Sequence, residues 1–213
     1  MTHYEDKNQP LEALLGIGEI AADICEVGGE AFSGVPVIGS IFSLIKAANN
    51  IRDRTLAAKL KKLLEPIYWS SSESQAKFRQ KLLRDADETS KVGSILFLVA
   101  ERLVELDKAQ VLGILFRAYL LDKLTSLDFR RLAQAIDLAF GDDLKILIDS
   151  HEDPEKSTEP WLRSLVGPGL AEVVAGKTLD DSGEIYYKVS DLGRTLRHAY
   201  IAGGEYLLTR PCT

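Results

Sequence analysis

Residues 31–45 read AFSGVPVIGSIFSLI, fifteen positions without a single Asp, Glu, Lys or Arg. Covering one Val, Ile or Phe gains about 1.5–3 kcal/mol, so a fold must either bury such a stretch or present it to something that does. The stretch falls short of the roughly 20 apolar residues of a bilayer-spanning helix, and Gly34, Pro36 and Gly39 interrupt it. Its flanks are charged with opposite sign. Upstream, Glu12, Glu19, Asp23, Glu26 and Glu30 recur at spacings that share one helix face, within a run rich in Leu, Ile, Ala and Gly. Downstream stand Lys46, Arg52, Arg54, Lys59, Lys61 and Lys62. The pattern predicts an acidic helix, an apolar turn and a basic helix.

Two readings of this hairpin stand side by side. In one, the helices pair antiparallel and the apolar tip is covered by the rest of the chain. In the other, Val35, Pro36, Val37, Ile38, Ile41 and Phe42 meet a partner's groove or enter a bilayer. The basic flank of Lys46, Arg52, Arg54, Lys59, Lys61 and Lys62 then suits anionic headgroups.

The net charge of −6 conceals how charge is distributed over the 213 residues. Residues 1–45 net −6, residues 46–131 net +6 and residues 141–213 net −5, with Asp137 alone between. Two cysteines, Cys25 and Cys212, are too few for a disulfide framework or a four-ligand zinc site. The polar start, MTHYEDKNQPLE, does not read as a secretory signal. These features predict a cytoplasmic protein, with a peripheral position at the inner membrane under the second reading.

Helical spacing dominates the middle of the chain. Val92, Ile95, Leu96, Val99, Leu103 and Leu106 step by three or four apart from the adjacent Ile95–Leu96 pair, and Phe78 and Leu82 fall at core spacing. Asp107 with Gln110 has capping-box spacing ahead of Val111, Leu112, Leu115, Phe116 and Tyr119. Thr125 with Asp128 repeats that signal before Phe129, Leu132, Ala133, Ile136 and Phe140, and Gly141 reads as the stop. Asp142 and Asp143 favour the start of a further short helix near 142–149. SHEDPEKSTEP, residues 150–160, reads as a linker.

Beyond it, Pro160 opens a short helix through Val166 that Gly167-Pro168-Gly169 ends. LAEVV and EIYYKVS, separated by the turn signal Asp181-Ser182-Gly183, predict a β-hairpin. Ser190 begins a last helix with Leu192, Leu196 and Tyr200 on one face. The expected fold is mainly α. It comprises an apolar-tipped helical hairpin over 1–65, a helical bundle over 66–150 and a winged-helix-like segment with a small hairpin over 151–213.

Two resemblances add to this. GVPVIGSIFSLIKAANNIRDRTLAAKLKKLL resembles the opening of a family of small, uncharacterised bacterial and prophage helical proteins. KAQVLGILFRAYL and FRRLAQAIDLAFGDDLKIL are similar to later segments of that group, so the likeness covers residues 34–148. It implies no established activity, and its prophage setting implies a role in phage–host conflict. Separately, LRSLVGPGLAEVV and EIYYKVSDLGRTL resemble the second half of a winged helix, through Leu165, Gly169, Leu170, Tyr187, Val189, Ser190 and Gly193.

That second likeness implies DNA binding by a helix in the major groove. Charge argues against it, because PWLRSLVG carries only Arg163 and residues 127–200, which hold it, net −5. The basic middle has the same two faces. Lys77, Arg79, Lys81 and Arg84 suit either a nucleic-acid surface or solvated helix faces paired with acids.

No chemical signature stands out. His3, His151 and His198 lie far apart and near no cysteine, and Gly16-Ile17-Gly18 lacks the strand and third glycine of a dinucleotide site. There is no phosphate loop and no nucleophile motif. The sequence therefore predicts a non-enzymatic interaction protein with no cofactor and no metal, acting through a protein partner or an anionic membrane surface. A winged-helix DNA-binding regulator is the alternative, and self-association stays open.

Overall fold

The computed structural model describes residues 35–46, 51–150, 153, 155–174 and 185–205. The acidic run from Glu12 to Glu30, Gly16 to Gly18, Gly34, His3, His151, both cysteines and the Asp181-Ser182-Gly183 turn lie outside these residues. So do the side chains of Pro36, Val37, Phe42, Lys46 and Arg52.

Among the described residues the chain forms nine helices and one small antiparallel sheet, the mainly helical fold with a late hairpin that the pattern predicts. In order these are α1 (Pro36–Lys46), α2 (Ile51–Tyr68), α3 (Ser72–Arg84), α4 (Ala86–Arg102), α5 (Leu106–Leu120), α6 (Ser126–Leu138), α7 (Gly141–Asp149) and α8 (Pro160–Ser164). Then come β1 (Ala171–Val174), β2 (Tyr186–Val189) and α9 (Asp191–Gly204). The expected boundary at 65 falls inside α2.

Helix α5 is the axis of the fold. Leu112, Ile114, Leu115, Phe116, Ala118, Tyr119 and Leu120 are all buried, so its apolar residues encircle it rather than forming one stripe. α2, α9 and α6 pack around it. Two glycines permit the closest approaches. A Cβ at Gly113 would overlap the Leu63 carbonyl of α2, and a Cβ at Gly203 of α9 would overlap the Ile114 carbonyl. The rings of Phe116, Tyr119 and Phe129 meet at centroid separations of 5.8–6.2 Å and tie α5 to α6.

The uncharged stretch lies against this bundle. α1 packs on α2 and α4, and Val35, Ile38 and Ile41 are only 1–2% exposed. Their three-residue spacing keeps them on one face, while Gly39, Ser40 and Ser43 face outward. The chain itself covers the described part of the tip.

Helix starts follow local chemistry at several points. Thr125 accepts a hydrogen bond from the Asp128 backbone N–H, and Ser190 accepts one from Gly193, as their spacing predicts. Two expectations are corrected. α5 begins at Leu106 with Glu105 at the N-cap, so Asp107 and Gln110 are inside the helix rather than a capping box at its start. α6 ends at Leu138, and Gly141 is the first residue of α7 rather than the stop of α6.

In the hairpin, Ala171 pairs with Val189 and Val174 with Tyr186. Ser157 adds a bridge to Tyr187 on the other edge of β2, so part of the expected linker is pinned to the sheet. Gly169, at φ 80°, makes the turn between α8 and β1 in a conformation that favours glycine.

Candidate functional site

The basic middle of the chain resolves first, because its fate decides which surfaces carry positive charge. The last carbonyls of a helix lack intrahelical donors and sit at the negative end of its dipole. Here, side chains from other helices supply those donors. Lys59 Nζ donates to the Glu101 carbonyl at the end of α4 (3.1 Å). Lys81 Nζ donates to the Tyr119 carbonyl at the end of α5. Lys108 Nζ donates to the Asp137 (3.2 Å) and Ala139 (2.8 Å) carbonyls where α6 ends.

Arginines do the same elsewhere. Arg117 donates to the Gly203 carbonyl of α9 (2.9 Å) and to Ser70 Oγ (2.8 Å), and Arg197 donates to the Ser150 carbonyl after α7 (3.0 Å). Lys59, Lys108 and Arg117 are buried. Burial holds the Lys59 and Lys108 ammonium groups below the usual lysine range, with neighbouring carboxylates pulling partly the other way.

The described residues of the expected basic flank do not all face outward. Lys59 faces inward, Lys62 pairs with Glu65 (3.3 Å), and Arg54 and Lys61 are half-buried. Of the expected apolar contact residues, Val35, Ile38 and Ile41 are in the core. Neither group forms an exposed apolar or basic face among the described residues. Among those residues no helix is long and apolar enough to cross a membrane.

At the junction of α3, α4 and α5, Lys81 also pairs with Asp122 Oδ1 (2.6 Å) and lies 4.1 Å from the centre of the Tyr119 ring. Tyr119 Oη donates to Glu88 Oε1 (2.7 Å). Burial first, then Glu88, pushes the Tyr119 hydroxyl well above the ordinary phenol range. Asp122 sits at φ 58°, a left-handed conformation, directly after α5.

Three well-exposed apolar side chains stand at one end of the bundle. Val104 is 91% exposed, Leu138 70% and Phe140 60%. Val104 lies on the α4–α5 connection, Leu138 ends α6, and Phe140 stands on the adjoining α6–α7 connection. Three contacts hold these connections together: Arg102 with Asp137 (2.6 Å), Lys108 with the Asp137 and Ala139 carbonyls, and the Glu105 carboxylate against Gly141.

The backbone explains the outward side chains. Ala139 and Phe140 are extended, so the buried Ala139 alternates with the exposed Leu138 and Phe140. Helical spacing alone had placed Phe140 on the buried face of α6, and the structure corrects this. The signal for the correction is the Asp142-Asp143 pair, whose helix start leaves residues 139–140 between helices.

Beside this patch a cleft of about 320 Å³ opens between α5, α7 and α9. Val111, Leu144, Ile148 and Tyr200 give it apolar walls. Burial raises the Tyr200 hydroxyl above its ordinary range, and Asp149 and Asp107 add to the effect from two sides. Among the described residues no group of three His, Cys, Asp or Glu could hold a metal ion.

In the C-terminal segment, the expected order of short helix, Gly169-Leu170 turn, two strands and Ser190-led helix is present. The helix in the recognition position, α8, is only five residues long. On β1 and β2, Glu172 and Lys188 pair across the strands (2.9 Å).

Comparison with protein-family models, with curated proteins and with solved structures gave no match.

Proposed function

We propose that this chain is a non-enzymatic interaction protein that contacts another protein through the apolar end of its bundle. One observation carries the reading: Val104, Leu138 and Phe140 are all exposed beside two connections that a buried hydrogen bond and an ion pair link. Single exposed apolar residues are ordinary, whereas a cluster fixed on a rigid frame is an interaction surface in waiting. Because the frame is already ordered, docking costs little conformational entropy.

This moves the expected contact from the 31–45 stretch to the other apolar feature. A membrane-inserting α1 would first have to withdraw Val35, Ile38 and Ile41 from the core, forfeiting about 1.5–3 kcal/mol for each. The likeness to prophage proteins supports reading such an interaction as part of phage–host conflict.

Photo-crosslinking tests the reading. A benzophenone side chain at position 140, expressed in the organism of origin, should give a discrete protein adduct that Val104→Ser weakens. The same group at Gln80, exposed on α3, serves as the control. Equal, diffuse labelling from both positions would sink the proposal.

A further inference from the structure

We infer that the protein docked at this end is basic: an apolar segment bearing Lys or Arg, not a second copy of this chain and not an anionic bilayer. The inference rests on the interaction reading above and supplies the partner's chemistry. The apolar patch formed by Val104, Leu138 and Phe140 is edged by carboxylates. Glu105 follows Val104 on one connection, and Asp142 follows Phe140 on the other; both residues lie toward solvent.

The nearby cations are mostly engaged. Arg102 is paired with Asp137, and Lys108 donates its ammonium protons to the Asp137 and Ala139 carbonyls. The adjoining cleft continues the same balance. Its lining carries four carboxylates, from Glu105, Asp107, Asp142 and Asp149, against Lys108 and Lys145. An apolar anchor seated on Phe140 would thus bring its flanking residues over negative potential, and only a cationic flank gains from that.

The same balance argues against the other occupants. Two copies meeting at this end would set carboxylate rim against carboxylate rim, in a chain whose net charge is already −6. An anionic bilayer would face the same repulsion.

Peptide titration against the full chain tests this. The probes are an amphipathic 18-residue Leu/Lys helix, its Leu/Glu counterpart and vesicles of anionic phospholipid. The Leu/Lys peptide should bind. Its affinity should fall about tenfold or more in Val104→Ser/Phe140→Ser, and again in Asp107→Asn/Asp142→Asn. Raising the salt should weaken it further. These positions are exposed, and circular dichroism of each variant checks that the fold is kept.

Several results overturn the inference. One is no binding of the Leu/Lys peptide, and another is equal binding of both peptides. The others are affinity indifferent to both double variants, vesicle binding through Phe140, or sedimentation showing self-association that Phe140→Ser abolishes. The position-140 crosslink separates the two failures. An adduct to a protein that proves acidic removes this inference and leaves the interaction reading standing. The absence of any specific adduct removes both.

Discussion

The α1 stretch and the 138–140 connection are both apolar, yet they meet opposite fates. Val35, Ile38 and Ile41 are 1–2% exposed, whereas Leu138 and Phe140 are 70% and 60% exposed. The difference is one of placement. α1 lies along the bundle, where α2 and α4 offer an apolar surface to receive it. The connection lies at the bundle's end, where its backbone is extended and alternate residues must point outward. Density of apolar residues marks what folding will try to bury; the ends of helices decide what remains outside.

Truncating one residue in each region should separate them most sharply. Ile38→Ala removes a fully covered side chain and should cost about 2–5 kcal/mol in urea unfolding. Phe140→Ala removes a larger side chain and should change stability by no more than about 0.5 kcal/mol. Equal losses would break the comparison, because the two residues would then share one kind of environment.

The cations repeat the contrast one step smaller. Lys108 is buried on two carbonyls at the end of α6, while Lys123 is exposed. Lys108→Met leaves those carbonyls without their donor and should cost about 1–3 kcal/mol. Lys123→Met should stay within about 0.5 kcal/mol. Lys108 also steadies the connection that presents Phe140.

These assignments show what the sequence could carry. The caps at Thr125 and Ser190 were legible because donor and acceptor are three residues apart. The Tyr186–Val189 strand was legible for a similar reason, its side chains being strand formers within one short run. Lys59 and Lys81 read as solvated positive charge because the carbonyls they cap lie 42 and 38 residues away. Phe140 was misplaced because three-and-four spacing continues through the end of α6 as though the helix did. The start of α5 was misread at Asp107 because Glu105, the true N-cap, has its carboxylate against Gly141 in another helix.

Alkaline pH sharpens the contrast between covered and exposed groups. The folded chain holds the Tyr119 proton well above the unfolded tyrosine value of 10, through burial and the Glu88 bond. Its contribution is therefore complete below pH 10 and is lost as pH rises toward the folded value, at about 1.4 kcal/mol per unit. Lys59 and Lys108 act with the opposite sign. Their folded values lie below 10.5, so stability recovers as pH rises through the interval up to 10.5. Comparing Tyr119→Phe with wild type isolates the tyrosine. The variant should be less stable at pH 7, and the gap should narrow between pH 10 and 11. A gap independent of pH would mean that Tyr119 ionises as freely folded as unfolded.

The smallest effect lies at Asp122, where an exposed side chain is joined to a partly covered one. The Asp122 N–H donates to the Tyr119 carbonyl (3.1 Å) and the Lys123 N–H to the Ala118 carbonyl (2.9 Å), the bonding of a helix end that usually has glycine. At φ 58°, aspartate bears backbone strain that glycine would relieve by about 1 kcal/mol. Against this stands the pair with Lys81, worth about 0–1 kcal/mol because the Asp122 side chain is 74% exposed. Asp122→Gly should therefore come out nearly neutral, while Asp122→Ala keeps the strain, loses the pair and should fall about 1 kcal/mol below the glycine variant. The Lys81 bond holds the Asp122 carboxyl below its ordinary value of 3.8. The pair's share is thus present above pH 3.8 and disappears as pH falls through the folded value. If glycine and alanine prove equal, the left-handed turn carries no cost. Lys81 would then hold Asp122 by charge alone, as a surface pair does, and not as the clasp on a strained helix end.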